Sequence, residues 1–279
     1  MVANVSASDW SADRGVAWQE SMGPLEAMLA PVNVPLLNAL NLDAPYQIAD
    51  IGCGGGETSL AIAANAHPGS SVTGFDISPA LVEAAQAKQT QGRVPVNFQV
   101  QDAGQPLSNA TQFDRLTSRF GIMFFPNADQ AFANIAQWLK PRGRFAFAVW
   151  GPPAENPWMS GIRSVLSNHI DLPTPEPHAP GPFRYQNTPA FVKLLEQSGF
   201  SDVKSVSWRD QLAIGGGLDA EAAAEFALTA FSVGQLLKQN DQNTVQAAQA
   251  DLAELFSKHV VDEHVWMDAH VHIVTGTAP

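Results

Sequence analysis

The sequence predicts an α/β fold built on a doubly wound, mostly parallel sheet. Three observations carry this expectation. Short runs rich in β-branched and aromatic residues alternate with helical stretches from residue 46 to residue 150. A glycine-rich turn, Gly52-Cys53-Gly54-Gly55-Gly56, joins the first such run to the first helix of the alternation. Acids follow the first three strands: Asp50, Asp76 and Asp102. Ligands of open α/β sheets bind beyond the carboxyl ends of the strands, so all three features point to the same end of the sheet.

Taken in order, residues 1–43 read as an N-terminal helical cap. A polar stretch holding Trp10, Arg14 and Trp18 is followed by apolar residues at helical spacing over 25–40, interrupted by Pro31 and Pro35. The cap is expected to pack over the sheet, with Trp18 as a candidate contact for a substrate. Residues 44–150 form the predicted ligand-binding core. Strand 46–49 leads into Asp50 and the glycine turn, and helix 58–65 leaves it. Strand 71–75 ends at Asp76. Ser78 is placed to cap the next helix, with Pro79 in its first turn. Strand 96–100 precedes Asp102, strand 113–118 follows, and then come helix 129–139, a turn at Pro141-Arg142-Gly143 and strand 144–150.

Residues 151–279 depart from simple alternation and are read as the rest of the same domain. Insertions at 151–187 and 215–260 lie on the side where an acceptor would sit. The first is rich in proline, with a short helix over 158–169. Helix 188–198 and strand 201–214 separate it from the second, which opens on Gly215-Gly216-Gly217 and is helical over 219–258 with a break at 239–243. A strand over 265–275 ends the chain and is expected to pair antiparallel with strand 201–214.

Composition excludes several function classes. The chain has 279 residues, 45% hydrophobic and 15% charged, so it is globular. Its net charge is −12 with 15 Lys and Arg in all, and these are scattered, which disfavours nucleic acid and anionic membranes as partners. Cys53 is the single cysteine, so no intrachain disulfide forms, and its place in the glycine turn suits a small buried residue better than a nucleophile. Residues 1–14 lack the apolar run of a signal peptide, and no stretch approaches the ~20 apolar residues of a membrane span, so the expected location is cytoplasmic.

The glycine spacing narrows the ligand. A dinucleotide fingerprint needs G-x-G-x-x-G, whereas Glu57 stands where its last glycine would fall. An acid there opposes a pyrophosphate, and with Asp50 it favours a cation. The run Asp50-Ile51-Gly52-Cys53-Gly54-Gly55-Gly56 resembles the first motif of the class I S-adenosylmethionine-dependent methyltransferases. The stretch from Leu139 to Phe145 is similar to the helix-turn-strand of their small-molecule branch, the ubiquinone/menaquinone-methyltransferase-like type 11 group, although Arg142 replaces the middle residue of the usual Pro-Gly-Gly. The resemblance implies a Rossmann-like, seven-stranded, mostly parallel sheet with helices on both faces and helical insertions forming a lid.

It also implies roles for individual residues. Asp50, Gly52, Cys53 and Gly54 would hold the methionine part of S-adenosylmethionine. Asp76 and Ile77 would take the ribose hydroxyls, and Asp102 and Ala103 the adenine edge. Ser118 and Arg119 sit where the chain crosses the cofactor mouth. Phe120, Phe124, Asn156, Trp158, Phe183 and Arg184, with Trp18, are candidates for lining an acceptor pocket, whose aromatic character suits a flat aromatic or heterocyclic molecule methylated on oxygen, nitrogen or carbon. No general base stands out; His169, His178 and Tyr185 are the candidates, with His259 and His264 behind them. No metal site is expected: His270 and His272 share one face of a strand, near His264, and are read as solvent-facing edge residues. The alternatives are a silent cofactor-binding subunit and an NAD-dependent oxidoreductase. The expected partners are a small-molecule acceptor and a second copy of the chain, as a homodimer.

Overall fold

A computed structural model describes residues 21–88, 92–107, 112–174, 176, 178–237 and 239–278. The strands are β1 (Gln47–Ile51), β2 (Ser71–Asp76), β3 (Val96–Val100), β4 (Phe113–Arg119), β5 (Leu139–Trp150), β6 (Ser201–Ala213), β7 (Val260–Val261) and β8 (His264–Thr277). They form one sheet of order β3-β2-β1-β4-β5-β8-β6, with the short β7 folded back on β8. The pairs from β3 to β5 are parallel, and β8 runs antiparallel to both β5 and β6. The order reverses between β1 and β4, which makes their ends the topological switch point.

The helices among the described residues are α1 (Met22–Leu29), α2 (Asn33–Leu40), α3 (Glu57–Asn65), α4 (Pro79–Ala87), α5 (Ala128–Trp138), α6 (Pro157–Leu166), α7 (Thr188–Gln197), α8 (Ala220–Ala230), α9 (Ser232–Leu237) and α10 (Gln242–Ser257). Local chemistry sets their starts. The Ser78 hydroxyl accepts from Leu81 N at the head of α4, with Pro79 at its first position. Asn127, Asn187, Asp219 and Asp241 cap α5, α7, α8 and α10 in the same way. The predicted helix over 25–40 is split by a 3₁₀ turn at Ala30–Val32, where Pro31 cannot donate an amide. In the second insertion the chain breaks at Phe231 as well as before α10.

Residues Phe145–Trp150 of β5 are all at most 4% exposed, so both faces of the sheet are covered there. One face carries an aromatic cluster in which Phe147 meets Phe132 of α5, and Phe132 meets Phe191 of α7. No helix among the described residues is long and apolar enough to cross a membrane.

Two expectations are corrected. The turn at Pro141-Arg142-Gly143 lies inside the β4–β5 ladder: Phe113 pairs with Leu139 and Arg115 with Arg144, so the intervening residues of β5 bulge outward. Arg142 takes φ +63°, a left-handed conformation that disfavours any side chain. His270 and His272 are not solvent-facing edge residues but 2% and 7% exposed, because β8 is inserted between β5 and β6. His270 Nε2 lies 3.0 Å from the Ser207 hydroxyl and His272 Nε2 lies 3.1 Å from that of Thr188. Burial lowers both imidazole pKa values, that of His272 to about 4, so both stay neutral at pH 7. No group of three or more metal-ligating side chains occurs among the described residues.

The strain at Arg142 is testable. The exposed Arg142→Gly replacement should raise stability by about 0.5–1 kcal/mol, since relief of the left-handed penalty exceeds the entropy lost by glycine. Chemical denaturation of both proteins measures it.

Candidate cofactor site at the switch point

The site begins with a contact between backbones. A Cβ built on Gly52 would lie 2.8 Å from Gly121 Cα, so the loop after β1 and the turn after β4 touch without side chains between them. Gly52 N and Cys53 N both donate to Phe75 O, tying the loop to β2, and the Ser118 hydroxyl donates to Ile51 O at 2.6 Å, tying it to β4. Gly56, at φ +89°, abuts Phe98, whereas a Cβ on Gly54, at φ +53°, would meet nothing within 4 Å. The turn is thus fixed on three sides and open at Gly54.

Acids and one arginine gather around it. Asp76 is 9% exposed; its Oδ2 accepts from Gly54 N and its Oδ1 from Ser78 N, each at 2.9 Å. It therefore sets the glycine turn and the head of α4 together, and a carboxylate so engaged still has lone pairs for a hydroxyl. Asp50 is 1% exposed; Oδ2 accepts from the Ser59 hydroxyl at 2.7 Å, while Oδ1 is buried without a partner. Burial raises its pKa to about 6; the Ser59 hydrogen bond and nearby Arg119 oppose the rise, and Asp76 and Glu26 add to it. Arg119 forms a buried ion pair with Glu26 of α1 through Nη2, and its Nη1 is buried without a partner. A buried carboxylate oxygen and a buried guanidinium nitrogen, both unpaired, are costly unless a ligand completes them.

Other expected residues fall in different places. Asp102 is half-buried and accepts from Gly104 N through Oδ1, with Ala103 buried behind it and Ile77 half-buried after Asp76. Burial pushes the Cys53 thiol well up, and the nearby carboxylates Asp50 and Asp76 add to this, which keeps it an inert packing group. Glu57 was expected to repel a pyrophosphate, yet it pairs with Lys88. The same Lys88 ammonium also donates to Gly55 O. The sulfur of Met22 occupies the space beside Gly55.

Phe120 is held at φ +68° and stacks on Trp150 with ring centroids 4.1 Å apart. Trp150 in turn packs edge-on against Trp158, which meets Phe231. Trp158 is 1% exposed and its indole N–H has no partner. Phe124 is half-buried against the core. The segment carrying Phe183 and Arg184 lies across the turn after β4: Gly181 N donates to Met123 O and Arg184 donates to Phe125 O. Asn156 was expected to line a pocket, but it is wholly buried and its amide is used up on backbone, donating to the carbonyls of Gly151, Pro152 and His270 and accepting from His270 N. It fastens the head of α6 to β8. Trp10, Arg14 and Trp18 lie outside the described residues.

The structure places the candidate bases in different parts of the chain. His169 Nε2 sits 2.8 Å from Asp251 of α10, in a surface hollow with Ile170, Asp171, Leu236 and Asn240, away from the switch point. His178 is exposed, as is His264 near the β7–β8 turn, where His259 is half-buried. Tyr185 is buried, stacked on Phe191, with an unpartnered hydroxyl; burial pushes its phenol up, so it stays protonated at neutral pH.

Glu26, Ser59 and Lys88 went unassigned in the sequence. The one available signal was Glu26 itself, a lone acid in the apolar run Met22–Leu29.

A methyltransferase domain family matches residues 48–143, which run from β1 through the turn after α5. The sheet order and the glycine turn at its switch point agree with that match. Over those residues the chain is similar to a methyltransferase domain. Ubiquinone biosynthesis O-methyltransferase of Coxiella burnetii is 30% identical over 143 residues, 51% of this chain and 57% of that protein. Aklanonic acid methyltransferase DauC of Streptomyces sp. strain C5 is 33% identical over 102 residues, 36% of this chain and 46% of that protein. The chain thus spans about half the length of the curated relatives it matches. Phosphoethanolamine N-methyltransferase 2 of Haemonchus contortus, solved with S-adenosyl-L-methionine, superposes with a TM-score of 0.56 at 16% identity, covering 99% of this chain and 61% of that one; at this identity the likeness is one of fold.

Asp50 gives the site a pH signature. With its pKa raised to about 6, the free carboxyl is mostly protonated at pH 5 and must lose that proton to hold a cation. A cationic ligand held by Asp50 should therefore bind about tenfold more weakly at pH 5 than at pH 7. The dependence should flatten in Asp50→Asn. Titration calorimetry at the two pH values checks both.

Proposed function

We propose that this chain is a methyltransferase that uses S-adenosylmethionine to methylate a small, flat, aromatic or heterocyclic molecule on oxygen, nitrogen or carbon. The observation that carries the reading is a set of three buried, unpartnered atoms at the glycine turn, Asp50 Oδ1, Glu57 Oε2 and Arg119 Nη1. An anion acceptor next to a cation acceptor matches the ammonium and carboxylate of an amino acid. The residues fit the rest of the cofactor: Asp76 is available to two ribose hydroxyls, Asp102 and Ala103 to the adenine edge, and the open side of Gly54 to close approach. S-Adenosylmethionine supplies a methyl group already activated on a sulfonium.

The protein's part is to bind, orient and exclude water. Asp50, Asp76 and Glu26 set a negative field that favours a cation. Phe120 and Phe124, with the segment carrying Phe183 and Arg184, form the wall nearest the switch point and favour a planar acceptor. Trp158 and Tyr185 carry buried donors without partners, suited to an acceptor's oxygen atoms, and Tyr185 stays protonated across the neutral range. The names of the Coxiella and Streptomyces relatives, which concern ubiquinone biosynthesis and aklanonic acid, support an acceptor of this planar, oxygen-bearing kind.

The test pairs turnover with binding. Incubation with a methyl-labelled donor and a panel of phenols, quinols and heterocyclic amines should give a product heavier by one methyl group. Asp76→Ala should weaken S-adenosylmethionine by about 1–3 kcal/mol, because ribose hydroxyls lose their acceptor. Unchanged affinity in that variant would contradict the assignment of the ribose site.

A further inference from the structure

The outer edge of β6 has the features of a dimer interface. The strand runs Ser201–Ala213, its inner edge pairs with β8, and no strand among the described residues pairs with its outer edge. It is also open on both faces: Leu212 is its only buried residue, Val203, Trp208 and Ala213 are half-buried, and Val206 is 68% exposed. Soluble proteins usually shorten or cover such edges, because free amides and carbonyls in register recruit another strand. Here a bulge at Asp202, with φ +54° and a shift in register between Ser201 and Lys204, ends the regular edge on one side. Lys204 to Asp210 keeps an unbroken register with β8.

The residues of that stretch are complementary to themselves. Side chains alternate between faces, so Lys204, Val206, Trp208 and Asp210 share one face and Ser205, Ser207 and Arg209 the other. Two antiparallel copies related by a two-fold axis through the sheet can pair only in registers centred on a residue. Centred on Ser207, the register sets Lys204 against Asp210 and Val206 against Trp208, each twice. On the other face it sets Ser205 against Arg209 twice and Ser207 against itself. No like charges meet, and the opposed ions and the aromatic–aliphatic contacts are of the kind that stabilise cross-strand neighbours. Centred on Val206, the register would put Asp202 against Asp210 and Lys204 against Trp208. Centred on Trp208, it would leave Lys204 against Leu212 and Asp210 against Val206.

We propose that the chain forms a homodimer by antiparallel pairing of two β6 edges centred on Ser207, which continues the sheet across the two-fold axis. Lys204, which on most edges deters pairing, here selects the register. Ser207 and Arg209 keep their bonds to His270 and Glu155 within each copy. The proposal is independent of the catalytic reading, since β6 lies at the opposite margin of the sheet from β2 and β3.

Sedimentation of the full chain at physiological ionic strength, from low to high micromolar concentration, tests it. At that salt the screening length is about 8 Å, so the net negative charge of the two copies is largely damped while facing ions still attract. The expected result is a concentration-dependent dimer. Lys204→Glu and Asp210→Lys should each weaken it about tenfold by opposing like charges twice. The double reversal should restore it. Unchanged circular dichroism and melting would show that these exposed changes leave the fold intact. A monomer at every concentration would overturn the proposal. So would a dimer indifferent to both single changes, or a double reversal that fails to restore pairing.

Discussion

The contact between Gly52 and Gly121 governs the organisation of this molecule. Two loops that leave neighbouring parallel strands can touch backbone to backbone only if both residues lack a Cβ. That contact brings the end of β4, with Ser118, Arg119 and Phe120, over the glycine turn after β1. Arg119 then reaches the neighbourhood of Asp50, and Phe120 is turned into a left-handed conformation that lays its ring on Trp150. A side chain at either glycine would separate the loops and move the arginine and the aromatic wall away from the acids.

Charge burial follows from this geometry. Asp50, Asp76, Glu26 and Arg119 are removed from water together, and desolvation costs several kcal/mol for each ion before any pairing offsets it. Asp76 is offset by two backbone amides and Arg119 in part by Glu26. The remainder, one carboxylate oxygen and one guanidinium nitrogen, stays unmatched. Such groups are costly to bury unpaired, and a ligand bearing both charges would complete them. The ion pair to Glu26 also joins α1 to the site, as does Met22 beside Gly55. The N-terminal helix thereby packs against the glycine turn as well as covering the sheet.

Much of this was legible in the sequence where the determinants are local. The strand-glycine-helix run, the cap at Ser78 and the acids after three successive strands depend on neighbours a few residues apart, and each lies where the pattern placed it. The parallel character of the sheet followed from alternation with helices. Features set by distant pairing were not legible. His270 and His272 look like edge residues until β8 is inserted between β5 and β6. Asn156 looks like a polar lining residue until its amide meets the carbonyl of His270. The partnership of Glu26 with Arg119 and of Glu57 with Lys88 joins segments that only the folded chain brings together, so the charge of Glu57 was misjudged. Arg142 is a local exception: its left-handed backbone is imposed by the β4–β5 ladder against its own preference.

The most direct test of the central claim is calorimetric titration of the full chain at neutral pH with S-adenosylmethionine, with NAD as the control. The account predicts saturable heat at a single site for the sulfonium ligand and none for the pyrophosphate ligand. Absence of heat with S-adenosylmethionine, or equal binding of NAD, would contradict it.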